Sequence, residues 1–153
     1  MKRKWGWKPD LPDGRDFKFK RRFPRRKMPI RVDLRNKCSS VEDQGNIGSC
    51  TANAGVGVYE YLENKQGMTF NDASRLFLYY NTRVIEGTVY EDNGASIRNT
   101  IKALAKRGVC REKKWPYLTS NLYLKPTKGC YTEAKNHKAI AYERIYTIDD
   151  MMA

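Results

Sequence analysis

The sequence predicts an α+β chain that is mainly helical, and three observations carry that prediction. Three stretches repeat apolar residues at helical spacing, and two of them run into Gly67 and Gly108. Two shorter stretches, 30–35 and 140–148, have the patterning of strands. The composition also changes near residue 37, which separates a basic leader from a nearly neutral body.

The charge is concentrated in the leader. Residues 1–37 hold 15 basic and four acidic residues, net +11, and the remaining 116 hold 15 basic and 13 acidic, net +2. With Pro9, Pro12, Pro24 and Pro29 in it, the leader reads most simply as an extended, solvated arm, or as a strand that wraps the body. Clustered cations could also bind nucleic-acid phosphates or an anionic surface by releasing counterions. Hydrophobic residues at 40% argue against wholesale disorder. No stretch approaches the roughly 18 apolar residues of a membrane span. The basic start runs into Trp5-Gly6-Trp7 with no apolar run behind it, so no secretory signal is expected and a cytoplasmic location is. A single His excludes any mechanism or metal site that needs two imidazoles, and no cofactor is expected.

In chain order, Ile30-Arg31-Val32-Asp33-Leu34-Arg35 alternates apolar and polar residues as a half-buried strand does. Residues 50–65 form a helix whose Ala52, Val56, Tyr59 and Leu62 share a face. Gly55 and Gly57 weaken its propensity by about 1 kcal/mol each. Burial against a close neighbour is therefore expected to hold it. Asn71 or Asp72 can cap a second helix running to about Thr82, with Leu76, Phe77 and Tyr80 as its core face. Ser96 can cap a third, with Ile97, Ile101, Leu104 and Ala105 as its stripe. Loops and short extended pieces follow from Trp115, with a strand over 140–148.

The chemistry lies at the start of the first helix. Residues 43–50 read Asp-Gln-Gly-Asn-Ile-Gly-Ser-Cys. A Cys in the first turn of a helix faces the positive end of the macrodipole, which favours the thiolate, the nucleophile of acyl transfer. Gln44, six residues earlier, can bring an amide beside the sulfur. With the Cys50 N–H it would make a two-donor oxyanion hole, a feature worth about 3–4 kcal/mol per donor. Each element alone is weak, since a Cys at a helix start is more often an inert small residue. Their combination is specific.

Asp43-Gln44-Gly45 through Gly48-Ser49-Cys50 resembles the active-site segment of papain-like cysteine peptidases. Leu11-Pro12-Asp13-Gly14-Arg15-Asp16 and Val32-Asp33-Leu34-Arg35 extend the likeness, as do residues 92–98, Gly108-Val109-Cys110 and Trp115-Pro116-Tyr117. These look like the branch of bacteria, archaea and large viruses. The resemblance implies a papain-like left domain over 38–137, a leader over 1–37, and the start of a truncated β-rich right domain over 138–153. It implies Cys50 as nucleophile, Gln44 as oxyanion donor, and Gly48, Ser49, Asn93, Gly94 and Ala95 as substrate-binding positions. The expected partner is a polypeptide substrate, met by a monomer. Ala95 stands where the family has a second Gly, so a methyl group is expected at that edge of the cleft. Thr51 replaces the usual Trp.

The imidazole that such a site needs lies about 130–150 residues after the nucleophile in the family, at roughly position 180 or later here. His137, the one His, follows Cys50 by only 87 residues and is read as a surface residue. The resemblance therefore implies a catalytically incomplete fragment lacking the His and Asn half. The disulfide of secreted members would join the positions of Ile47 and Asp92, so it cannot form, which suits a reducing compartment. Cys110 and Cys130 flank the Trp-Pro-Tyr loop and could pair. Buried free thiols are the default for Cys38, Cys110 and Cys130. The competing reading is a non-catalytic pseudo-peptidase, or a basic module that binds nucleic acid or an anionic surface.

Overall fold

The structure is a computed structural model of the chain and describes residues 5–21, 30–68 and 72–152. Its body is built on three helices: α1 (Cys50–Lys65), α2 (Arg75–Glu86) and α3 (Ile97–Arg107). Two short strands, β1 (Trp7–Lys8) and β2 (Ala95–Ser96), pair in parallel with Trp7 opposite Ala95 and Lys8 opposite Ser96. Two short helices, α4 (Lys128–Ala134) and α5 (Ile148–Met151), follow.

α1 runs over the predicted residues. Ala52, Val56 and Tyr59 are buried as expected, whereas Leu62 is 44% exposed. Only one of its two glycines is explained by close packing. A Cβ on Gly55 would lie 3.1 Å from the Thr100 side chain and 3.3 Å from that of Leu78, so α2 and α3 approach the backbone there. Gly57 has no such neighbour.

α2 starts later than the sequence suggests. Its cap is Ser74, whose Oγ accepts from the Phe77 N–H at 3.1 Å and donates to the Trp115 carbonyl at 2.6 Å. Asn71 lies outside the described residues, and Asp72 stands before the cap in a left-handed conformation (φ 63°). The helix continues past Thr82 to Glu86 and ends on Gly87. Every residue from Arg75 to Arg83 is buried, so α2 is enclosed on all sides and not merely along the predicted Leu76, Phe77 and Tyr80 face.

α3 is capped by Ser96 as predicted, with Oγ accepting from the Asn99 N–H. Its buried residues are Thr100, Ala103 and Leu104, while Ile97 is 49% exposed. The stripe is rotated because α3 presents Thr100 to Gly55 of α1. Gly108 closes the helix at φ +77°, where a Cβ would overlap the Ala134 carbonyl oxygen at 1.8 Å.

Both predicted strands are corrected. Residues 30–34 make no ladder, Ile30, Val32 and Leu34 are exposed, and a 3₁₀ turn occupies Arg35–Lys37. Asp33 folds back to accept from the backbone N–H of Arg35 at 3.1 Å, a local bond that competes with pairing. Over 140–148 one parallel bridge forms, Arg144 with Lys18, so the expected strand is reduced to a short stretch against the leader, where the Phe17 and Tyr142 rings also meet edge-on at 5.7 Å. The leader is not a solvated arm over 5–21. It lies along the body, where Arg98 grips Asp16 at 2.7 Å through both Nε and Nη2 and donates to the Leu11 carbonyl at 2.7 Å. Arg144 adds a contact to Asp16 at 3.3 Å.

Candidate active site

Cys50 is the first residue of α1 and is half-buried. The loop before it is folded by its own hydrogen bonds. The Ile47 N–H donates to the Gln44 carbonyl at 3.3 Å, and the Ser49 N–H donates to the Ile47 carbonyl at 2.8 Å. The Gln44 side-chain amide donates to the Ile47 carbonyl at 2.9 Å, which turns it toward the chain three residues before Cys50.

Ser49 is fully buried, and its hydroxyl faces inward. It lies 2.5 Å from the Tyr117 hydroxyl and accepts from the Asn53 amide at 3.0 Å. Tyr117 also donates to the Gln44 carbonyl at 3.0 Å, so one phenol braces both ends of the Cys loop. Arg75 stacks 4.1 Å over the Tyr117 ring and reaches Glu42 at 3.0 Å and Glu112 at 3.7 Å. Burial raises the Tyr117 hydroxyl above its ordinary value and keeps it protonated. Burial also pushes the Glu112 carboxyl up from 4.5 to about 7, against the pull of the Arg75 charge. At 3.7 Å that ion pair is too long to offset the desolvation.

The opposite wall is the loop before β2. Asn93 is exposed and donates to the Glu91 carboxylate. Gly94 and Ala95 are buried, the Ala95 methyl included. Asp92 spans the two walls: the Gly48 N–H donates to its carboxylate oxygens at 3.0 and 3.2 Å, and the Tyr79 hydroxyl donates at 2.8 Å. The Gly94 N–H in turn donates to the Tyr79 oxygen at 3.1 Å.

Between these walls lies the leader. The Gly6 carbonyl accepts from the Ala95 N–H at 2.7 Å, and Gly6 is buried. A Cβ on Gly6 would overlap the Gly48 carbonyl oxygen at 1.8 Å, and a Cβ on Gly94 would overlap the Gly6 oxygen at 1.9 Å. Of the predicted substrate positions, Gly48, Gly94 and Ala95 thus meet around one extended segment, which here belongs to the chain itself. Ser49 and Asn93 point elsewhere.

His137 lies apart from this cluster. Its Nδ1 is 3.8 Å from the Glu63 carboxylate, near the far end of α1. Thirteen residues separate Glu63 from Cys50, about 20 Å of helix. Its side chain is only 19% exposed, which corrects the surface reading. Cys110 and Cys130 are buried free thiols, and burial raises the Cys110 thiol. Cys38, expected to be buried, is exposed. No group of three metal-ligating side chains occurs among the described residues, and no described helix is long and apolar enough to cross a membrane.

Sequence reasoning missed Tyr117, Tyr79 and Asp92 as parts of this assembly. The Trp-Pro-Tyr turn and the Asp-Asn-Gly-Ala run were visible, but what their side chains bridge depends on contacts 44 to 73 residues apart.

No family model matches the chain. An uncharacterised peptidase C1-like protein of Acanthamoeba polyphaga mimivirus is 47% identical over 115 residues, which cover 71% of this chain and 37% of that protein. The crystal structure of xylellain, a cysteine protease from Xylella fastidiosa, superposes with a TM-score of 0.86 and 37% identity over 99% of this chain and 63% of that one. A structure from work on the mite allergens Blo t 1 and Der p 1 gives a TM-score of 0.56 at 25% identity, over 67% of this chain and 35% of that one. The chain therefore spans less than two thirds of the length of each of these relatives. The matched portion is helix-rich with few strands, as in the left domain of the papain-like fold. With the Cys loop, the facing glycine loop and these likenesses together, the chain belongs to the papain-like cysteine peptidase family.

Proposed function

We propose that this chain carries the nucleophile side of a cysteine-type peptidase site acting on polypeptides. The observation that carries the reading is the half-buried Cys50 at the N-terminus of α1, beside a groove that already holds an extended backbone against Ala95. The Cys50 thiolate would attack a peptide carbonyl carbon and form a thioester as the C–N bond breaks. The departing amine takes a proton, and water then hydrolyses the acyl-enzyme to free the acid and restore the thiol. The Cys50 N–H and the Gln44 amide are the proposed donors to the oxyanion. Gln44 must exchange its bond to Ile47 for that role.

Proton transfer is the missing part. His137 is about 20 Å along α1 from Cys50 and cannot serve as its base. Turnover by residues 1–153 alone is therefore not expected, and an imidazole would have to come from polypeptide outside them. The free Cys110 and Cys130 thiols suit a reducing compartment such as the cytoplasm.

Competitive alkylation tests the nucleophile, with Cys38 as an exposed reference in the same molecule. Iodoacetamide should modify Cys50 severalfold faster than Cys38 at neutral pH, the scale a helix dipole supplies without an imidazolium partner. Equal or slower labelling of Cys50 would favour the non-catalytic reading.

A further inference from the structure

Two loops form the groove that holds Gly6, and no covalent bond joins them. Instead three hydrogen bonds cross the gap: Gly48 N–H to the Asp92 carboxylate, Tyr79 O–H to that carboxylate, and Gly94 N–H to the Tyr79 oxygen. Their groups come from three elements distant in sequence.

The supports of this bridge are rigid. Tyr79 is fully buried in α2, and the Arg83 guanidinium lies 4.3 Å over its ring. Arg83 donates to the carbonyls of Val89, Glu91 and Leu122, which fixes the loop that delivers Asp92. Burial and the Asp92 carboxylate both hold the Tyr79 hydroxyl in its protonated form, the form that donates to Asp92 while accepting from Gly94. The gap is set to less than the width of a methyl group, because a Cβ on either Gly6 or Gly94 would overlap the backbone facing it.

We propose that Asp92 and Tyr79 are positioning residues that hold the Gly48 and Gly94 walls at the spacing that admits one extended polypeptide backbone, in place of a covalent cross-link. The part of this that concerns a substrate rests on the peptidase reading, whereas the spacing itself does not. Asp92 ties the Gly48 wall to its own loop, and Tyr79 anchors that loop to α2 at both Asp92 and Gly94. The phenol is the joint, since it is the group that touches both the carboxylate and the Gly94 amide.

The test uses the whole chain and residue-resolved amide exchange by NMR. Tyr79→Phe keeps the buried ring and removes the joint. Exchange at Gly94 should rise at least tenfold, Ala95 should follow as Gly6 loosens, and α1 and α3 amides should keep their protection. Asp92→Ala, on a loop and only half-buried, should speed exchange at Gly48 and also at Gly94, and the double variant should add little to either single one. The second readout is alkylation of Cys50 by a peptidyl epoxysuccinate relative to iodoacetamide. Measured in a Gly6→Ala background, where the leader no longer fills the groove, that ratio should fall about tenfold on adding either substitution, which general destabilisation would not produce. Unchanged Gly94 exchange in Tyr79→Phe, or additive effects in the double variant, would overturn the bridge. If the amide results hold but Cys50 in the unaltered chain reacts no faster than Cys38, the peptidase reading fails and the bridge stands.

Discussion

Replacing Gly6 with Ala tests whether the leader really fills the groove in solution. The new Cβ would sit 1.8 Å from the Gly48 carbonyl oxygen and 2.3 Å from its carbon, both backbone atoms, so no side-chain rotation relieves the overlap. The walls cannot part easily, because Asp92 ties Gly48 to Tyr79 and Tyr79 to Gly94. The segment around residue 6 must therefore lift out. What is lost is the Ala95 N–H bond to the Gly6 carbonyl and the short pairing of β1 with β2. One or two backbone hydrogen bonds carry a net of about 1–2 kcal/mol, or roughly a 5- to 30-fold rise in exchange at the Ala95 amide.

The effect should stay local. Arg98 holds Asp16 and the Leu11 carbonyl independently of Gly6, and the Lys18–Arg144 bridge lies beyond them. The thermal midpoint should move by only a few degrees, the scale of 1 kcal/mol in a domain of this size. Alkylation of Cys50 by a peptidyl epoxysuccinate should quicken, since the groove is vacated. An Ala95 amide that exchanges equally fast in both proteins would show that the leader does not occupy this groove, and the reasoning from glycine packing would fall with it.

Glu112, whose folded value of about 7 lies above its ordinary 4.5, binds its proton more tightly in the native state. Its contribution to stability is full below about 4.5 and declines as pH rises through 7, by about 3 kcal/mol. Chemical denaturation across that window should show the decline, and Glu112→Gln should flatten it. Tyr117→Phe removes the bonds to Gln44 and Ser49 and should cost about 1–3 kcal/mol, with faster exchange at Ile47 and Ser49. Gly108→Ala must place a methyl group on the Ala134 carbonyl at a left-handed φ, so denaturant titration should show a loss of more than about 2 kcal/mol.

The legible parts of this molecule were those encoded locally. Ser96 and Gly108 bracket α3 in sequence and in structure because a cap and a stop need only neighbours three or four residues away. The start of α2 was misplaced for a tertiary reason: Ser74 is held by Trp115, 41 residues downstream, which no local pattern near 71–74 reveals. The alternation at 30–35 was real in sequence but found no strand edge among the described residues, and Asp33 satisfied the backbone instead. At the site the same division holds. Cys50 at a helix start could be read directly, whereas Asp92 and Tyr79 gain their meaning only where three loops and a helix converge.

The placement of the lone imidazole sharpens what this chain can do. Cys50 and Glu63 stand at opposite ends of one helix, and His137 is paired at the Glu63 end. Cys50 therefore has the positive end of α1 beside it and no imidazolium. A helix terminus is worth at most about 2 kcal/mol even at a partly buried position, less than an adjacent imidazolium supplies to a peptidase thiol. If Cys50 were found to react as fast as a fully activated peptidase thiol in residues 1–153 alone, the extra activation would have to come from a group near the Cys loop other than His137. The Arg75 guanidinium, held by Glu42 and stacked on Tyr117, is the cation to examine first. Arg75→Met would then slow Cys50 alkylation, measured against Cys38, whereas His137→Gln would leave it unchanged.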